Sequence, residues 1–137
     1  RGMGRVPGVN VLLDTHVLLR LVSNPSNLAP ETLAILSDPG TDLWVTAASA
    51  WEIATKTRLG RLDGAALLST WTDVMTDMSC SELAIDSADA ILAGRLPWEH
   101  RDPFDRIIVA QALRRNLTIA TRDAKIIDAA ITPTLTG

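Results

Sequence analysis

The sequence predicts an α/β fold in which a mainly parallel sheet carries helices on both faces. Short apolar runs of the kind seen in buried strands alternate along the chain with segments of helical spacing, and this alternation is typical of parallel sheets. The chain has 137 residues, of which 47% are hydrophobic, which is enough for one well-buried core. No repeat or linker-like stretch interrupts the pattern. We therefore expect a single domain over residues 3–137, with a central sheet of four to five strands.

The first predicted elements are a strand and two helices. Residues 9–13 (VNVLL) form an apolar run between Gly8 and Asp14, as expected of a strand buried in a parallel sheet. Helical spacing follows over residues 15–22 and stops at a Ser-Asn-Pro sequence. A second helix is predicted over residues 30–37, because a proline occupies its first position and Asp-Pro-Gly follows its last.

The middle of the chain predicts two more strands and two more helices. Residues 43–46 (LWVT) form the second strand, and a helix over residues 49–59 follows it, with Gly60 as its C-terminal stop. A longer amphipathic helix is predicted over residues 64–78, and residues 82–85 form the third strand.

The last third contains three predicted helices, over residues 88–96, 103–115 and 124–130. Asp86 is expected to cap the first of them, and Asp102 the second, where a proline again occupies the first helical position. Residues 117–121 (LTIAT) form the fourth strand. A fifth strand near residues 131–135 is a weaker prediction, because Pro133 interrupts it.

Composition and termini restrict the class of protein. The single cysteine excludes an internal disulfide and fits a reducing cytoplasm, and no apolar run approaches the ~20 residues that span a bilayer. We expect no secretory signal, with Met3 as the natural start and Arg1 and Gly2 as added residues. A formal net charge of −3 argues against non-specific coating of nucleic acid by a basic surface.

Acidic residues follow the predicted strands at one edge of the sheet. Asp14, Glu52 and Asp123 lie after strands one, two and four, and Asp105 lies one turn into the helix that begins at residue 103. Because the carboxyl ends of parallel strands share one edge, these side chains should lie close together. Their charges would repel one another unless a cation neutralised them. Carboxylate oxygens suit Mg²⁺ or Mn²⁺, so the sequence predicts a divalent metal site that acts on phosphate.

Each acid also has a structural interpretation that needs no metal. Asp14 and Asp123 are acceptable helix N-caps, and the spacing of Ser49 and Glu52 matches a capping box. On this interpretation the protein is a non-catalytic binding module whose acids cap helices or contact a basic partner. Asp105 fits the capping interpretation least, because Asp102 already serves as the N-cap and leaves it free.

Other polar side chains flank the acids and are candidates for supporting roles. Thr15 and Ser49 could hydrogen-bond a water beside the metal. Arg106 and Arg122 could hold phosphates, or could belong to ordinary solvated faces.

The two histidines do not have the spacing of a zinc site. His16 lies on the first helix and is expected to be packed or hydrogen-bonded. His100 lies at a loop–helix junction, where it could touch a substrate or brace the loop.

The sequence resembles the PIN-domain nucleases, and more closely the VapC toxins of bacterial toxin–antitoxin pairs. The stretches that carry this resemblance, in the family's order, are residues 12–19 (LLDTHVLL), 48–62 (ASAWEIATKTRLGRL), 96–97 (LP), 100–112 (HRDPFDRIIVAQA) and 117–123 (LTIATRD). Any one of these motifs is weak, but their ordered set over nearly the whole chain is specific. One departure is Arg20, which stands where this subfamily often has a tryptophan.

The resemblance implies a three-layer α/β/α PIN fold and an acidic quartet of Asp14, Glu52, Asp105 and Asp123 that binds Mg²⁺ or Mn²⁺. In the family, Asp14 and Asp105 correspond to the most direct ligands. It also implies hydrolysis of RNA by a metal-activated water, leaving a 5′-phosphate and a 3′-hydroxyl. The expected partners are the RNA substrate, a VapB-type antitoxin that inhibits the enzyme, and a second copy of the chain in a homodimer.

Two other acid-bearing folds fit the sequence less well. A phosphoacceptor receiver domain would have paired acids after the first strand and a lysine after a late strand, but Thr15 follows Asp14 and Arg122 follows Thr121. A haloacid-dehalogenase-like phosphatase would have an aspartate at the position of His16.

Overall fold

A single five-stranded parallel sheet organises the structure, a computed structural model that describes residues 9–137. Its strands are β1 (Asn10–Leu13), β2 (Asp42–Thr46), β3 (Cys80–Leu83), β4 (Thr118–Thr121) and β5 (Thr134–Thr136). The strand order is β3-β2-β1-β4-β5, and every neighbouring pair is parallel. The fifth strand begins after Pro133, so the proline lies before it rather than within it. The expectations for Arg1, Gly2 and Met3 lie outside the described residues.

The strand order places a topological switch between β1 and β4. The chain proceeds from β1 to β2 and β3 on one side, and then crosses to β4 and β5 on the other side of β1. In open parallel sheets, the crevice outside the carboxyl ends of two such strands is the usual ligand site. The residues that follow β1 and β4 therefore lie where a ligand usually binds in a sheet of this kind.

Eight α-helices connect the described strands. They are α1 (Thr15–Ser23), α2 (Pro30–Ser37), α3 (Ala47–Arg58), α4 (Ala65–Ser69), α5 (Trp71–Asp77), α6 (Ser87–Arg95), α7 (Pro103–Arg115) and α8 (Ala124–Ala129). A short 3₁₀ turn at Pro25–Asn27 lies between α1 and α2. In the part of the chain that the structure describes, no helix has the length and apolar character needed to cross a membrane.

Two apolar clusters, one on each face of the sheet, form the core. Successive residues of β1 point to opposite faces, so Val11 and Leu13 belong to one cluster and Leu12 to the other, and all are fully buried. Val17 of α1 packs in the first cluster and Ile108 of α7 in the second. A central strand buried on both faces explains the unbroken apolar run over β1. The three-layer α/β/α prediction is confirmed.

Three predicted boundaries are wrong, each for a local reason. Helix α3 starts at Ala47 instead of residue 49, because the Thr46 side chain caps it by accepting a hydrogen bond from the Ala48 N–H at 3.1 Å. Strand β3 lies two residues earlier than predicted. The last paired residues are Thr46 of β2 and Leu83 of β3, so the residues after Leu83 have no pairing partner in β2.

The predicted helix over residues 64–78 is two helices, with a break at Thr70 between α4 and α5. The hydroxyls of Ser69 and Thr70 both donate to the Ala66 carbonyl, at 3.0 and 2.8 Å. Side-chain hydroxyls that take the place of backbone donors in this way favour a local break in the helix.

Candidate metal centre

Asp14 lies at the switch point, directly after β1. Its backbone N–H donates to the Ala120 carbonyl of β4 at 3.0 Å, which holds the residue between the two strands. One carboxylate oxygen accepts from the Val17 N–H at 2.8 Å, which caps α1, and the other accepts from the Thr121 hydroxyl. Burial raises the pKa of Asp14 above its ordinary value, and these two hydrogen bonds offset only part of that rise.

Glu52 approaches Asp14 from α3 and is also buried. The Thr15 hydroxyl donates to its Oε1 atom at 2.5 Å, and Lys56 Nζ contacts its Oε2 atom at 2.5 Å. The Ser49 hydroxyl lies 3.0 Å from the Thr15 hydroxyl, so Thr15 contacts Glu52 directly and Ser49 contacts Thr15. The capping-box interpretation of Ser49 and Glu52 is wrong, because Thr46 caps the helix. The negative charge of Glu52 adds to the rise in the pKa of Asp14.

Asp105 and Asp123 form a second group with His100. Asp102 caps α7 by accepting from the N–H groups of Phe104 and Asp105, at 2.9 and 3.2 Å, as predicted. This leaves the Asp105 carboxylate free to meet His100, whose Nε2 atom lies 2.6 Å from Asp105 Oδ2.

One ligand atom from each of His100, Asp105 and Asp123 lies within 4.8 Å of the other two. Burial raises the pKa of Asp105 to about 6, against the opposing hydrogen bond with His100, and the charges of Asp102 and Asp123 contribute to the rise. Asp123 also caps α8, since its Oδ1 atom accepts from the Lys125 N–H at 2.9 Å.

A cavity of about 260 Å³ connects the two groups of acids. Its lining residues are Asp14, His16, Arg20, Arg122 and Asp123. Asp123 is therefore shared between this cavity and the group that contains His100. Positive and negative side chains line the same small space, an arrangement suited to a phosphate approaching a cation.

The prediction that His16 is packed is wrong. Its side chain is exposed and lines the cavity beside Asp14, whereas its neighbours Thr15 and Val17 are buried. Helical geometry explains this, because the residues of α1 that face the core leave position 16 on the opposite side. Arg20 lies one turn further along and lines the same cavity. Arg20 follows His16 by four residues, a spacing that places two side chains on the same face of a helix. This spacing is the sequence signal that could have identified His16 and Arg20 together.

The two arginines predicted to contact substrate differ in how their donors are used. The Arg106 guanidinium donates to four backbone carbonyls, which belong to Ala93, Leu96, Trp98 and His100, at 2.7–2.9 Å. Through these bonds Arg106 braces the loop that carries His100, and its contact with a phosphate stays a prediction. Arg122 donates to the carbonyls of Gly137 and Asn27, yet it still lines the cavity.

The donor set fits a divalent cation such as Mg²⁺ or Mn²⁺. Carboxylates from β1, α7 and the end of β4 converge on one edge of the sheet, as the sequence predicts. Burial is the main reason that the pKa values of Asp14 and Asp105 are raised, and the charges of nearby carboxylates add to the rise. Hard oxygen ligands with one imidazole beside them are chemically suited to such an ion.

Solved structures with the same fold include three structures of VapBC proteins. VapBC2 from Rickettsia felis, bound to a DNA fragment from its promoter, gives a TM-score of 0.69 at 12% identity, covering 94% of this chain and 99% of that one. VapBC-1 from nontypeable Haemophilus influenzae gives 0.67 at 15%, covering 93% and 98%. DNA-bound VapBC from Salmonella typhimurium gives 0.65 at 16%, with coverage of 93% and 98%. At these identities the similarity establishes the fold alone.

The sequence comparisons give a family. A search of curated proteins found no match. The family model described as PIN domain matches residues 11–131, a span that begins in β1 and includes every acid of the site. On the strength of that match, together with the shared fold, the chain belongs to the PIN-domain family.

Proposed function

We propose that this protein is a divalent-metal-dependent endoribonuclease and the toxin of a VapC-type toxin–antitoxin pair. The observation that carries the proposal is the convergence of Asp14, Asp105 and Asp123 at the switch point of a PIN fold. PIN domains are generally nucleases, and the solved VapBC structures contain a toxin with its antitoxin, which supports the same pairing here.

In the proposed site, Asp14, Asp105 and Asp123 hold the cation, and Glu52 orients the attacking water. A bound divalent cation supplies an activated water and offsets the negative charge of the scissile phosphate. Thr15 and Lys56 each contact one oxygen of the Glu52 carboxylate at 2.5 Å, and these two contacts fix the orientation of the carboxylate. Lys56 also balances the charge of Glu52 inside the fold.

Arg20 and Arg122 complete the proposed substrate path. Both line the cavity that contains Asp14 and Asp123, and they place positive charge where the RNA backbone would pass the acids. A cleft with positive groups beside an anionic metal site admits a phosphodiester even though the chain as a whole has a net charge of −3. We further propose that the active form is a homodimer and that a VapB-type antitoxin inhibits it.

A cleavage assay tests the nuclease proposal. The purified chain is incubated with structured RNA in Mg²⁺ or Mn²⁺, in EDTA, and beside an Asp105→Asn variant. We expect discrete fragments with 5′-phosphate and 3′-hydroxyl ends from the wild type with metal, and none in EDTA or from the variant. Wild-type rates from correctly folded Asp105→Asn would refute the assignment.

The alternative function is a binding module without catalysis. It is favoured by the caps that Asp14 and Asp123 provide to α1 and α8. The two functions differ in linkage, because only a native-state metal site makes thermal stability depend on Mg²⁺ or Mn²⁺. If divalent metal left the melting temperature unchanged and no tested RNA were cut, the binding-module alternative would stand.

A further inference from the structure

We propose that His100 is a direct ligand of the metal, together with Asp105 and Asp123, and that the site therefore prefers a first-row transition ion such as Mn²⁺ to Mg²⁺. This inference rests on the proposed function and adds an imidazole to the all-carboxylate quartet that the sequence predicts.

The positions of the ligand atoms favour this assignment. His100 Nε2 and Asp105 Oδ2 are 2.6 Å apart, and an oxygen of Asp123 completes a set in which all three atoms lie within 4.8 Å. Around an octahedral ion with ligands at about 2.1 Å, adjacent ligand atoms are about 3 Å apart and opposite ones about 4.2 Å apart. To hold one ion, His100 Nε2 and Asp105 Oδ2 would exchange their hydrogen bond for bonds to the ion and move apart from 2.6 Å to about 3 Å.

The imidazole of His100 and the backbone that carries it are both held in place. The Trp98 ring packs against it with centroids 4.9 Å apart. Arg106 Nη1 donates both to the His100 carbonyl at 2.8 Å and to the Trp98 carbonyl at 2.7 Å. The His100 side chain is only 13% exposed. By holding the backbone on which His100 is carried, Arg106 places the imidazole beside Asp105.

The choice of ion follows from the mixed donor set. Carboxylates accept Mg²⁺ and Mn²⁺ alike, whereas an imidazole nitrogen adds affinity for transition ions and contributes little for Mg²⁺. Of the two histidines in the chain, His16 lines the neighbouring cavity beside Asp14 and lies outside the three-residue set. It therefore serves as a matched control.

The test is pulsed electron paramagnetic resonance of the Mn²⁺-loaded, untagged protein, combined with Mn²⁺ and Mg²⁺ affinities from calorimetry. We expect nitrogen hyperfine coupling to Mn²⁺ in the wild type and in His16→Gln, and its loss in His100→Gln. His100→Gln should also weaken Mn²⁺ binding about tenfold or more while changing Mg²⁺ binding much less. Thermal melts of the metal-free variants check that each one is folded.

Three outcomes would overturn the inference. Absence of nitrogen coupling in the wild type would leave His100 as a residue that only orients Asp105, and the nuclease proposal would survive. Equal losses of Mn²⁺ and Mg²⁺ affinity in His100→Gln would mean the same. If the wild type bound neither ion, the proposed function itself would fail. Should His100→Gln not fold, the spectra of the wild type and His16→Gln still decide the question.

Discussion

At the residue scale, capping and metal binding are compatible roles for the same carboxylate. Asp14 uses one lone pair for the Val17 N–H and one for the Thr121 hydroxyl, and Asp123 uses one for the Lys125 N–H. An ionised carboxylate has about four acceptor positions, so each residue keeps lone pairs for a cation. The two interpretations that the sequence left open therefore do not compete for Asp14 or Asp123.

We expect Asp14→Asn to abolish RNA cleavage without lowering the stability of the metal-free protein. Asparagine keeps the oxygen that caps α1 and removes a buried charge whose pKa is raised by burial. In EDTA, the melting temperature should equal or exceed that of the wild type. A clearly lower melting temperature would mean that the charge itself stabilises the fold.

The raised pKa of Asp105 predicts a pH dependence of stability with a definite sign. Its carboxyl binds a proton in the native state with a pKa of about 6, above the unfolded value of about 4. The native state therefore has its full advantage from this proton below pH 4 and loses it as the pH rises through 6. In EDTA, the unfolding free energy of the wild type should fall by roughly 1–3 kcal/mol over this pH range because of Asp105, and that of Asp105→Asn should not show this fall.

Urea unfolding at pH 4.5 and pH 7.5 measures this effect as the difference between the wild type and Asp105→Asn. Comparison of the two proteins cancels the titration of the groups that do not interact with Asp105. A difference that does not change between the two pH values would contradict the assigned shift.

At the element scale, a buried ion cluster joins α6 to α7. Asp89 of α6 is completely buried and accepts from Arg114 at 2.5 Å, from Arg115 at 2.8 Å and from Gln111 at 3.1 Å. Its carboxylate also accepts from the Asp86 N–H, which closes the capping box of α6. Because α7 carries Asp105, this cluster helps to fix the helix on which the site depends.

We expect Asp89→Asn to destabilise the protein by about 2–4 kcal/mol at pH 7, because two cations lose their buried partner. Burial raises the pKa of Asp89, but the hydrogen bonds from Arg115, Gln111 and Arg114 outweigh it and hold the pKa well below its ordinary value. The stabilisation is therefore present above about pH 4 and is lost as the pH falls further. Urea midpoints at pH 7 and pH 3 should show the two proteins converging at the lower pH.

Substitution by alanine should have opposite effects on stability at two glycines. A Cβ atom at Gly64 would lie 2.6 Å from Thr57 Oγ1 and 2.7 Å from Ile53 Cγ2, whereas one at Gly94 would meet nothing within 4 Å. Gly64→Ala should cost about 1–3 kcal/mol through overpacking, and Gly94→Ala, within α6, should gain about 0.5 kcal/mol. Chemical denaturation of both variants tests the pair, and equal effects would mean that the space around Gly64 adjusts freely.

At the scale of the whole molecule, the sequence was sufficient for the elements that the core determines. β1 and β4 are buried on both faces, so their apolar runs are continuous and their positions were predicted within a residue or two. β3 is an edge strand with the pattern intermediate, exposed, exposed, buried, which leaves little periodicity to detect. The break at Thr70 depends on hydroxyl groups that fit a helix or interrupt it according to context.

In the candidate site, too, some features could be predicted from the sequence and others could not. Part of the grouping of the acids could be predicted, because parallel strands place the residues that follow them at one edge of the sheet. Asp14 and Asp123 line one cavity there, and Asp105 lies beside Asp123. The contact between His100 and Asp105 could not be predicted, because it depends on the conformation of the loop that Arg106 braces. The hydrogen bonds of Arg106 likewise depend on loop conformation, which residue spacing alone does not specify.

The central claim is that strand-end acids, brought together by the switch between β1 and β4, form a divalent metal centre. Calorimetric titration of Mn²⁺ into the wild type and into Asp14→Asn at pH 7 tests it most directly. We predict saturable binding by the wild type and a loss of about tenfold or more in the variant, whose metal-free fold is intact. Equal binding by both proteins would contradict the place of Asp14 in the metal centre, and no binding by the wild type would contradict the claim as a whole.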